Sequence, residues 1–274
     1  MSILNSISLI VELGINHGGS LDIAKKMVDT AISAGATCIK HQTHIPDEEM
    51  HPGNRIYDLI ASCALSEDDE LALKDHIEQA GGIFVSTPFS FAAVDRLESF
   101  GVPFYKLASG APIELINYVC SKGKPVVFST GMEDFSASLK RCRAVFKHGI
   151  PCAVLHTTNL YPTPFNLARL GAIQQFKTTL PTALVGYSDH STTNHACFAA
   201  VALGADIIER HLAHPDVRGP DYKASMKSQA DVKDLVGGIE NIKQARGGRK
   251  THLAEEQVTR DFALYTWQDG KLRR

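Results

Sequence analysis

Residues 186–212 read GYSDHSTTNHACFAAVALGADIIERHL. Two polar clusters, Ser188-Asp189-His190 and Glu209-Arg210-His211, each close a short apolar run, and a segment of small residues lies between them. The simplest reading is strand, helix, strand. If the two runs are neighbouring parallel strands, both polar ends lie at one rim of a sheet. The imidazoles of His190 and His211, remote in sequence, could then meet. Whether that geometry exists depends on whether the rest of the chain repeats the unit.

It does. The runs SLIVEL, TCIKHQT, IFVST, FYKLA, PVVFST, CAVLHT, ALVGYS and DIIERHL recur along the chain with amphipathic segments between them. After the first run, Ser20 can cap a helix, Ala24, Met27, Val28, Ala31 and Ile32 follow the i, i+3, i+4 pattern, and Gly35 offers a left-handed stop. Segments 90–100, 136–148, 192–203 and 229–246 behave similarly. Strands alternating eightfold with helices over about 250 residues predict an α/β fold, the (β/α)8 TIM barrel. A doubly wound open sheet is the alternative, but it would carry a glycine-rich phosphate turn after its first strand, and ELGINHGGS is not one. Residues 1–250 are expected to form the barrel and 251–274 a charged tail whose end, TWQDGKLRR, reads as extended or frayed.

Composition narrows the function classes. The chain has 274 residues, 44% hydrophobic and 21% charged, with a net charge of −2, as expected of a globular protein without a nucleic-acid partner. The basic stretch 246–250 is short and reads as a solvated hinge. No apolar run approaches the roughly 20 residues that cross a bilayer, and the N-terminus lacks the parts of a signal peptide, so a cytoplasmic chain without membrane contact is expected. The six cysteines form no C-x-x-C pair, and Cys38, Cys152 and Cys197 fall in apolar runs, as buried reduced thiols do.

In a barrel of this kind chemistry gathers at the C-terminal ends of the strands. Those ends carry Glu12, Asn16 and His17; Lys40 and Gln42; Ser86 and Thr87; Lys106 and Ser109; Ser129 and Thr130; His156, Thr157, Asn159 and Tyr161; Ser188, Asp189 and His190; and Glu209 and His211. Alternation along a strand puts Lys40 with Gln42, and Glu209 with His211, on faces expected to point into the barrel mouth. His190 and His211, on adjacent strand ends, suit a divalent ion such as Mn²⁺, with Mg²⁺, Co²⁺ or Zn²⁺ as alternatives; hydrogen-bonded rim histidines without metal are the competing reading. Lys40 and Lys106 could form a Schiff base, or with the hydroxyls of Thr87, Ser109, Ser129 and Ser188 they could cradle a phosphate or carboxylate. Glu12 could act as a general base or accept a substrate hydroxyl. His41, His44 and His51 fall in a segment rich in turn residues and receive no role.

The ordered motifs ELGINHGGSLDIAKK, IKHQT, STPFS, YKLASG, PVVFSTGM, NLYPTP, GYSDHS, IERHL and GPDYKAS resemble those of the N-acetylneuraminate (sialic acid) synthase family over residues 8–250. The resemblance implies a TIM barrel that condenses phosphoenolpyruvate with an open-chain N-acylated hexosamine, such as N-acetylmannosamine, and needs a divalent metal. It implies that His190 and His211 bind the metal. Lys40, Thr87, Lys106, Ser109, Ser129, Asn159, Tyr161 and Ser188 fall on its phosphoenolpyruvate positions, and Glu12, Gln42 and Asp221 on its sugar end. Glu12, Lys40, Lys106 and Glu209 are the residues it implicates in catalysis.

Most members resembling this chain carry an antifreeze-protein-like domain after the barrel, and this chain ends about where that domain would begin. The second-strand motif reads KHQT where an aromatic residue commonly follows the lysine. The anion and metal ends of the site are therefore expected intact, with the sugar end the least specified. Family dimers are held partly by the extra domain, so a homo-oligomer stays open. A Schiff-base aldolase on the same barrel, and a non-catalytic phosphoenolpyruvate- or sugar-binding relative, are the alternative functions.

Overall fold

The computed structural model describes residues 2–263 and 266–273. The eight barrel strands are β1 (Leu9–Glu12), β2 (Cys38–Thr43), β3 (Ile83–Pro88), β4 (Tyr105–Leu107), β5 (Val126–Ser129), β6 (Cys152–Thr157), β7 (Leu184–Asp189) and β8 (Ile208–His211). They pair in the order β3-β2-β1-β8-β7-β6-β5-β4. β1 is parallel to both β2 and β8, and β3 adjoins β4 without a ladder among the described residues, which makes that contact the seam of a (β/α)8 barrel.

Local chemistry starts several of the helices. Ser20 accepts from the Ile23 amide at the start of helix Leu21–Ser33, and Gly35 beyond it has φ +95°. Ser66, Ser90 and Asp134 cap helices Glu67–Gln79, Phe91–Ser99 and Phe135–Phe146 in the same way. Ala24, Met27, Val28 and Ala31 meet the outward residues of the strands, Val11, Ile39 and Phe84 among them, in the larger core. Removing that apolar surface from water is the main force closing the outer layer.

The strand interiors form a second core. Ile10, Cys38, Val85, Val127, Ala153 and Leu155 fill the barrel, and Leu4 and Ile7 join them from the N-terminal segment. Two residues further along the same strands, alternation brings polar groups inward: Glu12 after Ile10, Lys40 after Cys38, Thr87 after Val85, Ser129 after Val127. The barrel is thus apolar below and polar above. Gly186 lets β8 and Leu155 close in, since a Cβ there would lie 2.2 Å from the Ile207 carbonyl oxygen and 2.5 Å from Leu155 Cδ2.

Two compact units divide the chain, Met1–Lys243 and Gln244–Arg274. The second holds helix Gln257–Ala263 and an antiparallel hairpin of β9 (Thr266–Gln268) and β10 (Lys271–Arg273). The sequence reading expects an extended or frayed end there. Asp269-Gly270, both at positive φ, instead make the tight turn that hairpins favour. His41 also departs from expectation, lying within β2 rather than in a turn-rich loop.

Candidate active site

The polar upper layer opens into a cavity of ≈ 240 Å³ lined by Glu12, Lys40, Gln42, Thr87, Lys106, Ser109, Ser129, Asn159, Tyr161, Ser188, His190, Glu209 and His211, together with Phe89, Ala108 and Thr157. Every strand of the barrel contributes a lining residue from its last or next-to-last position.

The two lysines face each other across Glu209. Lys40 Nζ donates to Thr87 Oγ1 at 2.9 Å, contacts the Glu12 carboxylate directly and lies 3.9 Å from Glu209. Lys106 Nζ donates to Ser129 Oγ at 2.8 Å and to the Leu107 carbonyl at 3.1 Å, and lies 3.6 Å from Glu209. Ser188 donates to Glu209 at 2.8 Å. Burial pushes Glu209 up, but Lys106, Lys40 and the Ser188 hydroxyl together hold it down at about 2. Burial lowers Lys40 to about 7 against the pull of Glu209, and lowers Lys106 in the same direction. The Glu12 contact favours the ammonium form of Lys40, as an opposite charge at contact does. Glu12 is aimed by the Gly14 amide, which donates to its Oε1 at 2.5 Å.

Beside this cradle Ser109 accepts from the Gly131 amide at 3.0 Å. A Cβ on Gly131 would lie 2.0 Å from Asn159 Oδ1 and 2.7 Å from Ser109 Oγ, so only glycine lets both side chains reach the rim. Asn159 Oδ1 is buried without a hydrogen-bond partner, an acceptor held ready for a donor.

The histidine pair forms the other wall. The rings of His190 and His211 stand 5.4 Å apart between centroids, close enough to reach one ion through metal–nitrogen bonds of about 2.1 Å. His190 Nδ1 donates to the Thr158 carbonyl at 2.9 Å, which leaves its lone pair on Nε2. His211 Nδ1 is buried without a hydrogen bond, with Asp221 Oδ2 3.6 Å away. Burial lowers His190 to about 4 and His211 to about 3, each helped by a neighbouring group, so both rings are neutral at neutral pH and carry lone pairs that could meet an ion. Burial raises Asp221, which His190 and Lys40 oppose. Tyr161 lies across His190 at 4.1 Å and edge-on to His211 at 5.9 Å. Among the described residues no group of three or more His, Cys, Asp or Glu side chains is gathered as a metal site. An ion here would take two protein nitrogens and complete its shell from water and substrate oxygens, a donor set that suits borderline-to-hard divalent ions.

Comparison with known proteins decides the family. Residues 27–251 match the model of the NeuB family. The chain belongs to the NeuB family. An N,N'-diacetyllegionaminic acid synthase of Campylobacter jejuni is 32% identical over 91% of this chain and 80% of its own length. An uncharacterized protein of Methanocaldococcus jannaschii is 35% identical over 91% of this chain and 75% of its own. The crystal structure of an N-acetylneuraminic acid synthetase from Leptospira borgpetersenii, in complex with citrate, superposes with a TM-score of 0.87 at 30% identity, covering 93% of this chain and 90% of that one. As a NeuB-family member the protein is an enzyme of the sialic-acid-synthase type.

Most rim residues singled out from sequence converge on this NeuB cavity; several do not. Ser86 turns away to Thr43 at 2.8 Å, Thr130 back-bonds to the Leu155 carbonyl, and His156 bonds the Ala168 carbonyl on the far side of β6. Asn16 ties the first loop to the Leu212 carbonyl. Glu209 sits between the two lysines. Asp189 and Arg210 pair in direct contact on the outer faces of β7 and β8, fully buried. Period-two alternation carries that signal: within SDH and ERH the outer residues face in and the middle ones face out. Phe89 also lines the cavity, a placement that spacing along the sequence does not reveal.

Proposed function

We propose that the protein condenses phosphoenolpyruvate with an open-chain N-acylated hexosamine, N-acetylmannosamine or a close relative, to a sialic-type nonulosonic acid with release of phosphate. The observation that supports this most is the opposition of a two-lysine, hydroxyl-lined cradle to a pair of neutral imidazoles within one cavity.

Lys40 and Lys106, with the hydroxyls of Thr87, Ser109, Ser129 and Ser188 and the groups of Asn159 and Tyr161, hold the phosphate and carboxylate of phosphoenolpyruvate and fix its C3 near the aldehyde. Gln42 and Asp221 take the hexosamine at the sugar end. A divalent ion on His190 and His211, Mn²⁺ in our reading with Mg²⁺ or Co²⁺ as substitutes, would supply Lewis-acid polarisation of the aldehyde. C3 of phosphoenolpyruvate bonds to the aldehyde carbon, whose oxygen takes up a proton, and positive character develops at C2. Glu12 accepts a proton from the water that adds at C2. Cleavage of the C2–O bond then expels phosphate and leaves the ketone. Glu209, between the two lysines, favours their ammonium forms.

The test is phosphate release across a panel of aldoses, with mass analysis of products. Release that needs both phosphoenolpyruvate and an N-acylated hexosamine, giving a product of their summed carbon skeletons, is expected; release indifferent to the sugar would refute the reading. Burial of Lys40 at about 7 favours a second reading, a Schiff-base aldolase. Borohydride trapping of pyruvate onto Lys40 would support it, and the condensation reading predicts no adduct.

A further inference from the structure

A second cavity, of ≈ 360 Å³, opens outside the barrel between helices Phe135–Phe146 and Gly171–Thr179. That volume falls within the range of small-molecule sites, about 300–1,000 Å³. Phe135 and Phe176, with ring centroids 5.0 Å apart, form its apolar side. His156 lines it from β6 and is 9% exposed. Its Nε2 lies 2.8 Å from the Ala168 carbonyl, which can only accept, so Nε2 carries a proton. Burial lowers the imidazole below its usual range, and the nearby Arg169 charge acts in the same direction, so the ring is neutral at neutral pH and Nδ1 holds a lone pair. Among the described residues none donates to Nδ1, nor is that atom sealed from solvent. Arg169 also lines the cavity, and among the described residues its guanidinium has neither a hydrogen bond nor an ion pair. The carboxylates on the same wall are engaged, Glu133 by Arg141 at 2.5 Å and Asp134 by the Ala137 amide at 2.8 Å. Arg169 has φ +47°, a left-handed backbone that glycine or asparagine would adopt at less cost. An arginine held there against that cost points to work for its side chain.

We propose that this cavity is a second ligand site, separate from the condensation site, for a monoanionic carboxylate that carries hydroxyl or N–H donors and an apolar group. Arg169 takes the carboxylate, Nδ1 of His156 accepts from a hydroxyl or amide N–H, and the apolar group lies on Phe135 and Phe176. One guanidinium beside Glu133 and Asp134 suits a single negative charge and disfavours a phosphate dianion. An acylamino sugar acid, the kind of product that the proposed condensation makes, has all three features, so that identity rests on the condensation reading. Thr157 lines both cavities, and its hydroxyl donates at 2.8 Å to the backbone carbonyl of Ser188, whose side chain belongs to the lysine cradle. The two sites share a wall, so the second has to be probed with the first one filled.

The test is titration of the full chain with N-acetylneuraminate under saturating phosphoenolpyruvate, with no hexosamine present so that nothing turns over. Calorimetry should give one equivalent bound. In ¹⁵N spectra of histidine-labelled protein the Nδ1 signal of His156 should move as it accepts a hydrogen bond, while Nε2 keeps its pyrrole-like shift. Arg169→Gly, which keeps the left-handed turn without strain, should weaken binding of the acid about 10-fold or more and leave the affinity for phosphoenolpyruvate within about twofold. The methyl ester of N-acetylneuraminate lacks the charge. It should bind the wild type about as weakly as Arg169→Gly binds the acid, and the substitution should weaken it no further. No binding of the acid, binding that leaves His156 Nδ1 unmoved, or binding that Arg169→Gly does not weaken would each overturn the site. Phosphoenolpyruvate binding is measured first: its failure counts against the condensation, whereas the shift at His156 and its dependence on Arg169 are read independently of it.

Discussion

Lys106 has few partners to replace it. Its ammonium bonds Ser129 and the Leu107 carbonyl and faces Glu209, and it is 2% exposed. Lys106→Met removes half the charge of the cradle and leaves Glu209 with one cation fewer. We expect kcat/KM for phosphoenolpyruvate to fall by about 100-fold or more. Lys106→Arg should not restore it, because a planar fork cannot occupy the site of a compact ammonium. Initial rates at varied phosphoenolpyruvate check both; a Lys106→Met enzyme within threefold of wild type would remove the lysine from the proposed cradle. Such inward residues were legible in sequence because each stands two positions beyond an apolar residue on the same strand. The contacts of Glu209 with both lysines were not, since they depend on strand register.

At the level of elements, β7 and β8 carry the histidines and owe their register to the outer faces of the same strands. Asp189 is registered opposite Arg210, Ser188 opposite Glu209. Asp189 also accepts from Tyr187 Oη, the Ser191 amide and the Ser191 hydroxyl, and Arg210 donates to the Ser191 carbonyl. Burial lowers Arg210 to about 10, still fully charged at neutral pH. Asp189→Leu or Arg210→Met alone strands a buried charge and should cost about 3–5 kcal/mol. Asp189→Leu with Arg210→Met should cost much less than the sum, because neither charge is left alone. Urea unfolding of the three variants decides it; additive losses would mean that the pair is not a unit. The strands and their alternation with helices were readable from apolar runs and caps. The hairpin of β9 and β10 was not recognised, although its Asp-Gly turn is a local signal, because a charged terminal segment reads as solvated.

Across the whole molecule, burial of titratable groups predicts an acid limit to stability. Burial lowers His17 and His41 to about 3, with His41 and His44 respectively as the next causes. In the unfolded chain both take up protons near 6.5. Between those values the unfolded state binds more protons, so stability is full above about pH 6.5 and is lost as pH falls, by about 1.4 kcal/mol per pH unit for each ring. Glu70, 3.4 Å from His41, works in the opposite sense: burial raises it to about 8, so the folded chain keeps its proton where the unfolded one releases it. Glu70→Gln should therefore steepen the acid loss, and His41→Asn should flatten it. Urea midpoints from pH 7 to 4.5 measure both, and parallel curves for all three proteins would contradict the assignment.

The account turns on His190 and His211 holding a divalent ion opposite a lysine-bound phosphoenolpyruvate. The most direct test is phosphate release from phosphoenolpyruvate and an N-acylated hexosamine, using chelator-stripped protein titrated with Mn²⁺. The wild type should be inactive when stripped and recover in proportion to added metal, and His190→Ala with His211→Ala should stay inactive at every concentration. Equal release by the double variant, or by stripped wild type, would contradict it.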